Sequence, residues 1–127
     1  MTSEISAPFE IKSWDEQPFD EAVGVAKLTK ASVAKEYSGD IEGSSATEWL
    51  MAYNPDESAV FVGLERVRGT IDGRRGSLVL QHVGTFEDGA AKATLTVVSG
   101  TDELKGATGI GELVADPAGR ITLSVDL

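Results

Sequence analysis

The chain has 127 residues, 41% of them hydrophobic, a net charge of −10, a single histidine and no cysteine. This length holds one domain with one core (1–127). Absent cysteine excludes disulfides, thiolate catalysis and sulfur-ligated zinc, and an acidic chain without a basic run argues against nucleic acid and anionic membrane surfaces.

The N-terminal MTSEISAPFEIKSW lacks the basic and apolar regions of a signal peptide. No apolar run approaches the length of a membrane span, so a cytoplasmic protein is expected. From there, alternation of apolar and polar residues recurs, and no long segment carries a helical period. The pattern predicts strands at Ser6 to Trp14, Ala22 to Tyr37, Ser45 to Tyr53, Ala59 to Ile71, Arg75 to Phe86, Ala91 to Ser99, Gly109 to Ala115 and Arg120 to Asp126. Between them stand the turn signals EQPFD, YSGDIEG, YNPDES, Asp72-Gly73, Asp88-Gly89 and DPAG at Asp116 to Gly119. Two places hint at a helical turn, Asp15 to Ala22 and Thr101 to Ala107, the latter capped by Thr101 or Asp102. Eight regularly spaced antiparallel strands point to an all-β chain closed into a barrel, because closure removes exposed edges.

The register follows from the hairpins. Asp-Gly favours a two-residue type I′ turn, since both central residues need positive φ. With Asp72 and Gly73 as that loop, Ile71 pairs with Arg74, Glu65 faces Leu80 and Gly63 faces His82. The second Asp-Gly, Asp88-Gly89, places His82 opposite Leu95, Leu80 opposite Val97 and Leu78 opposite Ser99. One face then carries Phe61, Val67, Leu78, Leu80, Leu95 and Val97 around Glu65, His82 and Ser99, and by composition it is the interior. A three-residue loop at Gly73 or Arg74 instead turns His82 outward and leaves Glu65 inside. On the preceding strand, a five-residue loop Asn54 to Ser58 lines Tyr53, Met51 and Trp49 up with Ala59, Phe61 and Gly63, and sets Thr47 opposite Glu65. A loop one residue shorter or longer turns Glu48, Leu50 and Ala52 inward. The last strand points Ile121, Leu123 and Val125 inside.

A carboxylate in an apolar barrel cannot stay both charged and alone. Its pKa rises, or it pairs with His82 as imidazolium, or it meets water or a ligand. Each option suits acid–base chemistry, so Glu65 and His82 are the candidate catalytic pair, and Trp49, Tyr53, Phe61, Leu80, Leu95 and Ser99 the candidate ligand-binding residues. The competing reading is a structural pair that fixes strand register. GATGIGE, Gly106 to Glu112, has glycine spacing like a nucleotide loop but lies between strands. One histidine without cysteine leaves no transition-metal set, TDEL lacks calcium-loop spacing, and no cofactor is expected. Outward Val62, Leu64, Val79, Val83 and Val98 form an apolar stripe that predicts a homo-oligomer.

The runs GDIEGSSATEWL, VGLERVRGTIDGRRGSLVLQHVGTF and SGTDELKGATGIGEL, within Gly39 to Leu127, resemble a family of small bacterial proteins of unknown function with an allene oxide cyclase-like barrel. The resemblance implies an eight-stranded antiparallel barrel and supplies no activity. The wider fold class includes cyclases that steer apolar ligands, with motifs that do not align here residue by residue. The expected function is a barrel that binds an apolar or mixed small molecule. It acts either as a cofactor-independent isomerase or cyclase using Glu65 and His82, as a noncatalytic carrier or sensor, or as an oligomeric structural protein.

Overall fold

The computed structural model describes residues 2–116 and 118–127. Eight strands, β1 (Thr2–Asp20), β2 (Lys27–Tyr37), β3 (Ile41–Tyr53), β4 (Ala59–Ile71), β5 (Arg74–Glu87), β6 (Ala90–Asp102), β7 (Thr108–Ala115) and β8 (Gly119–Asp126), follow one another around a closed antiparallel barrel. Closure comes from the first half of β1, where Thr2 to Phe9 pair with Asp126 to Gly119 of β8. Among the described residues no helix is long and apolar enough to cross a membrane.

The two Asp-Gly hairpins set the register of the central strands. Asp72 and Gly73 have φ of 50° and 78°, Asp88 and Gly89 of 52° and 78°, the left-handed pair that a type I′ turn requires. Ile71 therefore pairs with Arg74, Glu65 with Leu80 and Gly63 with His82. The loop from Asn54 to Ser58 has five residues, so Trp49 lies opposite Gly63 and Thr47 opposite Glu65, while Glu48 is exposed. Ile5, Ala31, Val33, Met51, Phe61, Leu78, Leu80, Leu95, Leu113, Ile121, Leu123 and Val125 fill the interior from all eight walls. Away from the register shifts in β1 and β6, the strands alternate between core and outer face, as period-two side-chain direction demands.

The predicted helical turns are not helices. β1 runs on through Asp15 to Asp20 because, after a register shift between Ile11 and Ser13, it keeps pairing with β2, Trp14 with Val33 and Glu16 with Ala31. Pro18 is tolerated there since, beyond Phe9, β2 is the strand neighbour of β1 and one edge needs no donor. Thr101 to Ala107 ends β6 and turns back through Leu104 N to Thr101 O (2.9 Å) and Ala107 N to Leu104 O (3.0 Å). Gly109 and Gly111 of GATGIGE lie within β7, where an added Cβ would stand 2.3 Å from Ser124 O and 2.0 Å from Thr122 O. Close strand approach accounts for those glycines. The Asp116 to Gly119 turn includes residue 117, which is outside the described residues.

Ser99 departs from the expected register. The register of β5 and β6 shifts between Val79 and Leu80: His82 pairs with Leu95 and Leu80 with Val97, but Val79 pairs with Ser99 and Leu78 with Gly100. Val98 is the extra residue of a bulge, and everything after it changes face. Ser99 is consequently exposed, outside the interior. The bulge coils the ladder so that Gly100 passes against the backbone of Leu104, whose side chain is in the core.

Candidate functional site

Four neighbouring strands deliver the polar groups of the interior. Along β2, Thr29, Ala31, Val33, Lys35 and Tyr37 are buried on one face, and β3 adds Ser45, Thr47 and Trp49. β4 brings Glu65 and β5 His82. Lys35 is 1% exposed, and Glu65 and His82 are 0% exposed. The imidazole Nε2 lies 2.8 Å from Glu65 Oε1, and the Lys35 Nζ lies 3.4 Å from the same oxygen. Tyr37 and Ser45 donate their hydroxyls to Oε2 at 2.7 and 2.6 Å. Four donors thus surround one carboxylate.

Those partners decide the charge states. Burial pushes the Glu65 carboxyl up, but the Lys35 ammonium, the His82 hydrogen bond and the Ser45 hydroxyl outweigh it and hold its pKa at about 2. The expectation of a raised, neutral glutamate, or of an imidazolium counter-ion, is replaced by a carboxylate compensated chiefly by lysine. Burial lowers the Lys35 pKa and Glu65 acts against that fall. The ammonium also stands 4.6 Å from the Phe9 ring centre and 4.9 Å from that of Trp49, where π faces favour a cation. Burial, followed by the adjacent carboxylate, raises the Tyr37 hydroxyl well above its ordinary range, so it stays a donor.

Trp49 sets the state of His82. Its indole Nε1 lies 3.3 Å from His82 Nδ1, and an indole nitrogen only donates. Nδ1 is therefore the acceptor, Nε2 carries the proton and donates it to Glu65, and the ring is neutral. Burial lowers the His82 pKa in the same direction, the carboxylate opposing and Lys35 assisting. Gly63 makes this packing possible: a Cβ there would stand 2.1 Å from Glu48 O and 2.6 Å from Trp49 Cδ1. Only a glycine lets the indole lie against the β4 wall.

The candidate ligand residues divide. Trp49, Phe61, Leu80 and Leu95 are buried in the same interior as Glu65 and His82, with the Trp49 and Phe61 ring centres 5.2 Å apart. Tyr53 is half-buried at the rim, where its ring carries the Lys27 Nζ at 5.3 Å and borders a cleft of about 560 Å³ with Val25, Pro55 and Phe86. Ser99 is on the outside. Sequence reading missed Lys35, Tyr37, Ser45 and the donor role of Trp49. The alternation of KLTKASVAKEY carried the signal for the first two, because it puts a lysine on the face that Ala31 and Val33 occupy.

An aromatic ring packs on Trp49 from the side of β1. Trp14 of the outer half of β1, 42% exposed, packs at 5.5 Å on Trp49, which is 4% exposed. Trp14 Nε1 donates to Glu16 Oε1 (2.9 Å), and Glu16 Oε2 accepts from Thr29 (2.6 Å). Among the described residues no group of three His, Cys, Asp or Glu is placed to hold a metal ion.

The same architecture occurs in solved structures. A protein of unknown function from the DUF3224 family of Shewanella oneidensis MR-1 is 28% identical, with a TM-score of 0.80 over 100% of this chain and 98% of the other. A pyocyanin demethylase is 15% identical, with a TM-score of 0.71 over 98% of this chain and 100% of the other, a likeness of fold alone. No functionally curated protein matches the sequence. The family model for proteins of unknown function, DUF3224, matches residues 5–127, and the chain belongs to that family.

Proposed function

We propose that the protein binds a small, partly apolar molecule inside the barrel and moves a proton on it, as an isomerase or cyclase without a cofactor. The observation that supports this reading is the arrangement around His82. Glu65 accepts the Nε2 proton and leaves Nδ1 as an oriented, neutral acceptor, the disposition a general base needs. Glu65 itself is already filled by four donors, so it acts as the orienting group and His82 as the base. Trp49 occupies the acceptor over a long 3.3 Å contact, and substrate takes its place when the two tryptophans move. The neighbouring pyocyanin demethylase indicates that a barrel of this shape accommodates small-molecule chemistry, although a fold does not fix an activity.

One observation favours a second reading. Complete enclosure of Lys35, Glu65 and His82, every one hydrogen-bonded, also describes a structural core that specifies register. NMR of the single imidazole separates the two. Addition of small planar carbonyl and hydroxyl compounds shifts the His82 and Trp49 side-chain resonances together if a ligand displaces the indole. Resonances that stay fixed across such a panel leave the structural reading.

A further inference from the structure

Thr47 is 1% exposed, and its Oγ1 is the buried side-chain polar atom that lacks a hydrogen-bond partner among the described residues. A buried hydroxyl without a partner destabilises the fold and in a native structure calls for a reason. Its position supplies one. Thr47 is directly opposite Glu65 on β4, one inward position from Trp49 and one from Ser45 on its own strand, and diagonal to Lys35, which pairs with Ser45. Lys35 is also underused. An ammonium has three donors, and this one has Glu65 Oε1 at 3.4 Å as its oxygen partner and otherwise aromatic faces. An unfilled hydroxyl and a cation with spare donors thus flank the same carboxylate, beneath the indole that covers His82 Nδ1.

Resting on the proton-transfer reading above, we propose that Thr47 and Lys35 form the oxygen-binding subsite of the interior, and that its ligand is a phenol or enol, a conjugated frame bearing a weakly acidic hydroxyl. The O–H bond breaks with its electron pair left on oxygen, and the proton passes to His82 Nδ1. The resulting oxyanion is held by the Lys35 ammonium and the Thr47 hydroxyl, and the imidazolium by the Glu65 carboxylate. No oxidant or reductant takes part, and the net charge of the site is unchanged. The conjugated frame takes the place of the indole beside Phe61, where stacking suits a planar body.

The test uses para-nitrophenol, whose anion is coloured, and para-nitroanisole, which has no acidic proton, titrated into the wild type and the Thr47→Val variant below the free phenol's pKa. The expected results are binding of the phenol with an increase in its anion band, and binding of the anisole at least about tenfold weaker without one. Thr47→Val weakens phenol binding about tenfold, the value of one hydrogen bond, and leaves the thermal midpoint unchanged or raised. Equal phenol affinity in the variant overturns the subsite, as does a lowered midpoint, which would mean that the hydroxyl serves the fold or an internal water. If the phenol then still shifts the His82 resonance, the proton-transfer reading survives without this subsite. If neither the imidazole nor the indole responds, both fall.

Discussion

The Lys35 ammonium and the Glu65 carboxylate lie 3.4 Å apart with neither side chain exposed to solvent. The ion pair allows the histidine beside it to remain neutral. With the carboxylate already compensated, His82 donates one proton to it and keeps its other nitrogen free to accept from Trp49.

Removing one member of the ion pair strands the other. Lys35→Met should destabilise the protein by about 3–5 kcal/mol, the usual cost of breaking a buried pair. Adding Glu65→Gln to it should recover much of that loss, because the double variant buries no net charge. Denaturant unfolding of the two single variants and the double variant reads the coupling, and additive losses would contradict the pairing.

The imidazole should remain the neutral Nε2–H tautomer in the folded protein as pH falls below the ordinary histidine value of about 6.5. With one histidine in the chain, nitrogen NMR reports this without ambiguity. Since the folded pKa is lowered, the His82 contribution to stability is present above the unfolded pKa and declines as the pH drops below it. A ring that protonates in the folded state near the ordinary value would refute the assignment.

Glu65 governs a lower window. Its folded pKa of about 2 lies below the ordinary 4.5, so the stability it contributes is present above the unfolded pKa and is lost as pH falls through 4.5 towards 2. The total is on the order of 3 kcal/mol. Stability curves measured over this range should be steep for the wild type and flatter for Glu65→Gln.

Gly63→Ala should destabilise by about 1–3 kcal/mol or more and push Trp49 off His82, since the new Cβ would stand 2.6 Å from the indole Cδ1. Altered indole fluorescence and a changed imidazole shift together would show it. A variant with wild-type stability and spectra would mean that the wall has room to spare.

On the outside, Leu50, Val62 and Val83 lie in one row across three strands, each about half exposed, with Leu64 beside them. We propose a homo-oligomer that covers this row. Solution mass should exceed that of one chain of 13.4 kDa and fall to it in Val62→Lys; a monomer at all concentrations would remove the proposal.

Much of this architecture is written in local chemistry. The two Asp-Gly turns and the five-residue loop set strand parity, and parity alone carried Glu65, His82, Trp49 and Thr47 to the interior, because a strand's side chains alternate without exception until a bulge intervenes. The site failed to be legible where that local rule ended. Ser99 lies one residue past the Val98 bulge, and nothing in TVVSG announces an extra residue whose purpose is to coil two strands around Leu104. Alternation does place Lys35 and Tyr37 inside, but that they meet Glu65 depends on how β2, β3 and β4 align around the closed wall. The charge of Glu65 is likewise a property of the assembled set: alone in an apolar barrel it would be neutral, and the ammonium brought from a strand 30 residues earlier in the chain reverses that. The sequence by itself determined which residues face inward; only the tertiary structure decided which of them touch, and contact is what assigns a proton to one group or another.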